Sequence, residues 1–297
     1  PRPAAPRPAP TQCPVAPERG HGWAGPFGKV TFPDLWGYLA PEAGLGLDGF
    51  MTAAPLAPLT VVPSRPLVFN AAGVLKSNER GITAGLMAID SRETQTVAGL
   101  DGLFENGVTI LALGRVFTDF GGLPGSHLIA GTWATGDFTR LADSAGWLVL
   151  RNSLPLVPVG LQEKEGSWLA AYVLDQNLWV DHCNKKRSVG VWGMAAWSDP
   201  DTSPFDWTMN LSITAFGLLP GREHDRMGIG YFYQGLSEPL KQDLAIVGLQ
   251  DLQGGEAYYN AAITPWFHLT ADVQAIQTEI ASQDTALVLG LRGKIDF

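Results

Sequence analysis

The C-terminal stretch Thr285-Ala-Leu-Val-Leu-Gly-Leu-Arg-Gly-Lys-Ile-Asp-Phe297 alternates along its whole length. Leu287, Leu289, Leu291, Gly293, Ile295 and Phe297 fall on odd positions, and Ala286, Val288, Gly290, Arg292, Lys294 and Asp296 on even ones. A β-strand sends successive side chains to opposite faces. One face of this strand is therefore Leu, Ile and Phe, and the other carries glycine and charge. A face so apolar needs either a protein core or lipid against it.

Working back from that strand, the pattern recurs. In Trp207–Leu219 the residues Trp207, Met209, Leu211, Ile213 and Ala215 alternate with Thr208, Asn210, Ser212 and Thr214, and Phe216 is the exception on the polar side. Phe267–Ala275, Glu256–Ile263 and Met227–Tyr233 follow the same rule. Less regular strands are expected near Leu67–Val74, Gly81–Ile89, Val108–Phe117, His127–Ala134, Trp168–Gln176 and Ser188–Trp197. From Pro66 onward the count is about eleven segments, each near the 9–11 residues that a tilted strand needs to cross a bilayer. Before Pro66 the signal is weak, with one strand expected within Lys29–Trp36 and another within Phe50–Val62.

Composition agrees with a barrel that is apolar outside and polar inside. Of 297 residues, 45% are hydrophobic and only 16% charged, against about a quarter charged in an ordinary soluble domain. Mean hydropathy is nevertheless only +0.06, and the apolar run Ala53–Leu75 is interrupted by prolines and Arg65, so no spanning helix is expected. A soluble β-sandwich remains the competing fold.

The connections alternate between short ones, such as Thr264–Trp266 and Pro220–Asp225, and long ones, such as Asp137–Ser167 and Ser237–Gly255. Short turns on one side and long loops on the other are the habit of outer-membrane barrels. With Phe297 on the periplasmic side, every short turn falls on that side. Aromatics gather at strand ends: Trp197, Phe205 and Trp207 at one, Trp266, Phe267 and Phe297 at the other, as membrane interfaces favour. The expected fold is all-β: a transmembrane, antiparallel, up-and-down outer-membrane β-barrel of about 12 strands spanning residues 20–297. It is preceded by a proline-rich disordered tail or linker at residues 1–19, which read PRPAAPRPAPTQCPVAPER.

Nucleic acid is not an expected partner. The chain has 29 acidic against 20 basic residues and a formal charge of −9, and Lys185-Lys186-Arg187 reads as a solvated turn. The two cysteines, Cys13 and Cys183, lack metal-ligand spacing. They are expected as unpaired thiols, although a disulfide between them is open. No metal or cofactor is expected.

Several of these segments resemble the carbohydrate-selective, OprB-type porins. GREHDRMGIGYFYQGLS is similar to that family's GR-x-D-x-x-G-x-G-Y-x-Y-x-x-L-S segment, EAYYNAAITPWFHLTADVQAI to its Y-N-x-x-I-T-P-W hairpin, and DTALVLGLRGKIDF to its terminal strand. Fainter echoes are GLDGLFENGVTILALG, HLIAGTWATGDF and AAYVLDQNLW, so the resemblance covers roughly Gly81–Phe297. It implies a barrel that passes monosaccharides by passive diffusion, set in outer-membrane lipid and assembled through its terminal Phe297. Two departures stand out. Members of the family are longer, usually with about sixteen strands, and Ala271 stands where they usually have proline. The alternative is a non-conducting structural barrel with a plugged lumen, or one that needs a partner. A monomer is the expected state.

In a porin the working residues face inward. By alternation the lumen candidates are Arg115, Asp175, Asn210, Arg226, Gln234, Glu256, Asn260, Asp272, Gln274, Arg292 and Lys294, with Trp192, Phe216 and Phe232 as aromatic slides. Planar polar groups bind hydroxyl pairs and aromatic faces stack on a sugar's C–H side. The competing reading is a mutually paired ladder that braces the wall. Catalysis has little support: of the five histidines, His182 in Asp181-His182-Cys183 and His224 fall in expected turns with no nucleophile scaffold. His268 faces the lumen.

Overall fold

A computed structural model describes residues 22–39, 49–52, 68–91, 102–105, 107–142, 162–185 and 187–296. The tail at residues 1–19, Cys13, Phe297 and all but the first three residues of Phe50–Val62 lie outside them.

The chain forms β1 (Gly22–Ala24), β2 (Phe27–Thr31), α1 (Phe32–Leu39), β3 (Val68–Asn78), β4 (Gly81–Asp90), β5 (Val108–Phe120), β6 (Leu123–Thr139), β7 (Glu163–Val180) and β8 (Ser188–Ser198). It continues through β9 (Phe205–Phe216), β10 (Arg226–Leu236), α2 (Glu238–Asp243), β11 (Leu252–Thr264), β12 (Phe267–Gln277) and β13 (Ala286–Ile295). From β3 onward each strand pairs antiparallel with the next in sequence, giving one 13-stranded up-and-down sheet. β1 and β2 both pair with β3, as one stave broken at Gly25-Pro26, so thirteen strands make twelve staves. The break is bridged where Gly73 N–H donates to the Pro26 carbonyl at 3.0 Å. Among the described residues β13 pairs only with β12 and the first stave only with β3, which leaves the sheet open between them.

All eleven segments expected after Pro66 are strands, and several run longer than alternation alone indicates. Before Pro66 the expectation needs correcting. The strand stops at Thr31 and Phe32–Leu39 is helical. Pro33 lies in the first helical turn, where its missing N–H costs nothing and its fixed φ suits a helix. Of the range Phe50–Val62, in which another strand is expected, only Phe50–Thr52 is described, and these three residues are not in a strand.

The two faces of the sheet differ as the sequence requires. The outward face exposes Val74, Leu86, Val116, Ile129, Ile213, Ile229 and Leu289 as an apolar band. Exposed aromatics bound it at both ends: Trp133, Trp168 and Trp197 at one, Trp23, Phe120, Trp179 and Trp266 at the other. Trp133 pairs with Trp168 across β6 and β7, and Trp197 with Trp207 across β8 and β9. This is the arrangement of a bilayer-spanning wall. The connections at residues 79–80, 121–122, 181–187, 217–225 and 265–266 lie at the second end; those at 91–107, 140–162, 237–251 and 278–285, and the shorter 199–204, lie at the first.

The inner face falls into two halves. Across β3–β8 it is apolar: Phe69, Leu75, Met87, Leu111, Leu113, Leu128, Val173 and Met194 form one buried cluster with Trp36 of α1, and Phe32 and Leu35 pack against it. Helix α1 thus folds against the inside of the sheet, burying Trp36 to 5% exposure. Across β9–β12 the inner face is polar, with Thr208, Asn210, Ser212, Gln234, Glu256, Asn260, Thr270 and Asp272 all buried.

Candidate functional site

Strand register sets the polar half. Ser212, Gly230, Glu256 and Gln274 are successive partners across β9–β12, and the row continues through Trp192 to Asp175. A parallel row joins Arg226, Asn260, Thr270 and Arg292 across β10–β13. Inward glycines in these strands let side chains lie close over the backbone: Tyr258 over Gly228, Phe50 over Gly230 and Phe232 over Gly254.

Short hydrogen bonds order this surface. Asn260 Nδ2 donates to Thr270 Oγ1 at 2.8 Å, and its Oδ1 lies 3.2 Å from His268 Nδ1. Gln274 Nε2 donates to Asp272 Oδ1 at 2.7 Å. Neither polar atom of the fully buried Gln234 amide has a partner among the described residues. Glu256 is held by the chain itself: the backbone N–H groups of Met51 and Thr52 both donate to its carboxylate, the second at 3.0 Å. Arg292 Nη2 donates to the Gly49 carbonyl at 2.6 Å.

Alternation therefore locates Asn210, Gln234, Glu256, Asn260, Asp272, Gln274 and Arg292 on one inner surface. The other candidates are dispersed. Arg115 is buried on β5, with its guanidinium 5.8 Å from the Phe117 ring. Asp175 is half-buried on β7. Arg226 is exposed at the short-turn end of the sheet and stacks on Phe216, 5.2 Å from the ring centre. Lys294 pairs with Asp296 at 3.3 Å. The aromatics are packed: Trp192 lies in the apolar cluster, and Phe232 is 1% exposed, with Gly254 facing its ring.

Sequence reasoning missed Phe50, Met51, Thr52 and Tyr258. The Phe50 and Tyr258 rings meet edge to face at 4.8 Å. The available signal was the pair of inward glycines Gly230 and Gly290. A Cβ at Gly230 would stand 3.1 Å from the Phe50 ring, and one at Gly290 only 2.8 Å from Met51 Sδ.

The turns carry their own locks. Asp225 accepts from Arg222 Nε at 2.6 Å, from the Ala262 N–H at 3.0 Å and from the Tyr259 hydroxyl. Burial pushes its carboxyl up, but these donors outweigh burial and hold it below the usual carboxylate range. Asp181 accepts the Cys183 and Asn184 N–H groups at 2.8 and 3.0 Å and pairs with Arg187 at 2.9 Å. This is the geometry of a braced turn, and Arg187 belongs to that brace. Cys183 is exposed and has no disulfide partner among the described residues.

A meander with an aromatic-bounded apolar exterior and a polar inner lane defines a porin-type outer-membrane wall. More closely, the chain belongs to the OprB family of carbohydrate-selective porins, whose family model matches residues 50–297. Membership implies an outer-membrane protein and points to a channel rather than an enzyme. Two solved structures of Pseudomonas putida OprB share the fold. The high-pH form matches with TM-score 0.70 and 15% identity over 93% of this chain and 70% of that one. The low-pH form matches with TM-score 0.51 and 13% identity over 93% of this chain and 62% of that one. No curated protein matches the chain by sequence.

Proposed function

We propose that this chain is a bacterial outer-membrane channel through which small carbohydrates, monosaccharides foremost, diffuse passively, without catalysis. The supporting observation is the polar inner face of β9–β13, which carries the planar groups of Asn210, Gln234, Asn260, Asp272, Gln274 and Arg292, most of them packed into the wall, in a member of a carbohydrate-selective family. Amide, carboxylate and guanidinium groups together hydrogen-bond hydroxyl pairs while leaving the lane close to neutral, which suits uncharged sugars. Arg115, Asp175, Arg226 and Lys294 line the approaches. Outer-membrane lipid contacts the apolar band, Phe297 serves recognition by the assembly machinery, and the chain acts as a monomer.

Single-channel recording in planar bilayers tests this reading. Stepwise ion currents that D-glucose partly blocks are expected. A non-conducting barrel is the second reading, and it draws on α1 packed against the inner apolar half and on Gly49–Thr52 lying on the polar half. A folded chain without current favours that reading.

A further inference from the structure

Gly49–Thr52 lies on the polar half as a ligand would. Glu256, 2% exposed, takes two adjacent backbone N–H groups on its two oxygens. That is the way a carboxylate takes a vicinal hydroxyl pair. Arg292 donates to the Gly49 carbonyl, as it would to a sugar oxygen. The Phe50 ring fills the floor over Gly230 against Tyr258, the place and contact that the C–H face of a pyranose would use. Gly290 is bare where Met51 lies. A Cβ at either position would press on this segment, at 3.1 Å from the Phe50 ring or 2.8 Å from Met51 Sδ.

We propose that Gly49–Thr52 is a displaceable strap occupying a monosaccharide seat formed by Glu256, Tyr258, Arg292, Gly230 and Gly290, so that sugar and strap compete for the same groups. The proposal rests on the diffusion reading and adds to it a specific seat and a built-in competitor.

The full chain is refolded in detergent in a Cys13→Ser, Cys183→Ser background, with Met51→Cys carrying a nitroxide label. The label is expected to be immobilised without sugar and mobilised saturably by D-glucose, but not by glycine betaine at equal osmolality. Glu256→Gln, checked for a heat-modifiable band, is expected to be mobile from the start. A second chain carries Met51→Cys with Gly290→Cys. Its oxidised form is expected to pass glucose into proteoliposomes at less than about one-tenth of the reduced rate. A label still immobile at saturating glucose, or a cross-link without effect on flux, overturns the proposal. If the unmodified chain passes glucose while the label stays immobile, the strap fails and the diffusion reading stands. If glucose frees the label but no glucose crosses, the seat stands and the diffusion reading fails.

Discussion

Asp225 shows how one side chain ties the sheet together. It closes the β9–β10 turn through Arg222 and reaches across to Ala262, beside the register shift in β11. The motif GREHD was legible in the sequence. That its Arg and Asp pair with each other and with the next hairpin was not, because Ala262 and Tyr259 arrive from more than thirty residues away. Asp225→Ala removes a buried acceptor of three donors and is expected to cost about 3 kcal/mol, read as a lower urea midpoint. The pH dependence has a fixed sign. The folded carboxyl lies below its unfolded value of about 3.9, so its stabilisation is complete above that pH and is lost as pH falls through the folded value. The Ala262 amide should keep its hydrogen-exchange protection through the ordinary carboxylate range and lose it only below. In Asp225→Asn, protection that is weaker and independent of pH is expected over that interval.

The elements were legible where their two faces differ. β9, β11, β12 and β13 pair a polar inner face with an apolar outer one, and their alternation is plain in the sequence. β5 buries Leu111 and Leu113 inward while Val116 is exposed outward, so both faces are apolar and the period fades. The reason is α1: its Trp36 makes the inner face of β3–β8 a core, a contact between distant segments that no local pattern carries. The seat at Glu256 was half legible for the same reason, since alternation turns Glu256 inward but says nothing of Met51 and Thr52. At the level of one strand, the outward face of β13 is the sharpest test of lipid contact. Leu289 is 77% exposed between Leu287 and Leu291. Leu289→Arg is expected to destabilise the chain by about 2–4 kcal/mol in phospholipid vesicles, followed by tryptophan fluorescence during urea unfolding. An unchanged midpoint would mean that this face does not meet hydrocarbon.

The twelve staves of the described residues have open first and last edges, which pose a problem in a membrane, where each unpaired backbone group costs several kcal/mol. An even number of staves sets β13 antiparallel to the first stave, the orientation that closure needs. A closed barrel is expected in the bilayer, seen as faster migration of the unboiled than the boiled chain in detergent electrophoresis. Identical migration would mean that the edges stay apart. Closure alone does not make a channel, since α1 packs against the apolar half of the inner face and Gly49–Thr52 lies on the polar half. Swelling of liposomes containing the refolded, heat-modifiable chain in isotonic D-glucose and in longer maltosaccharides decides the point. Swelling in glucose well above that of protein-free liposomes, falling as the saccharide lengthens, is the expected result. A folded barrel whose liposomes swell in glucose no faster than protein-free ones would contradict carbohydrate diffusion.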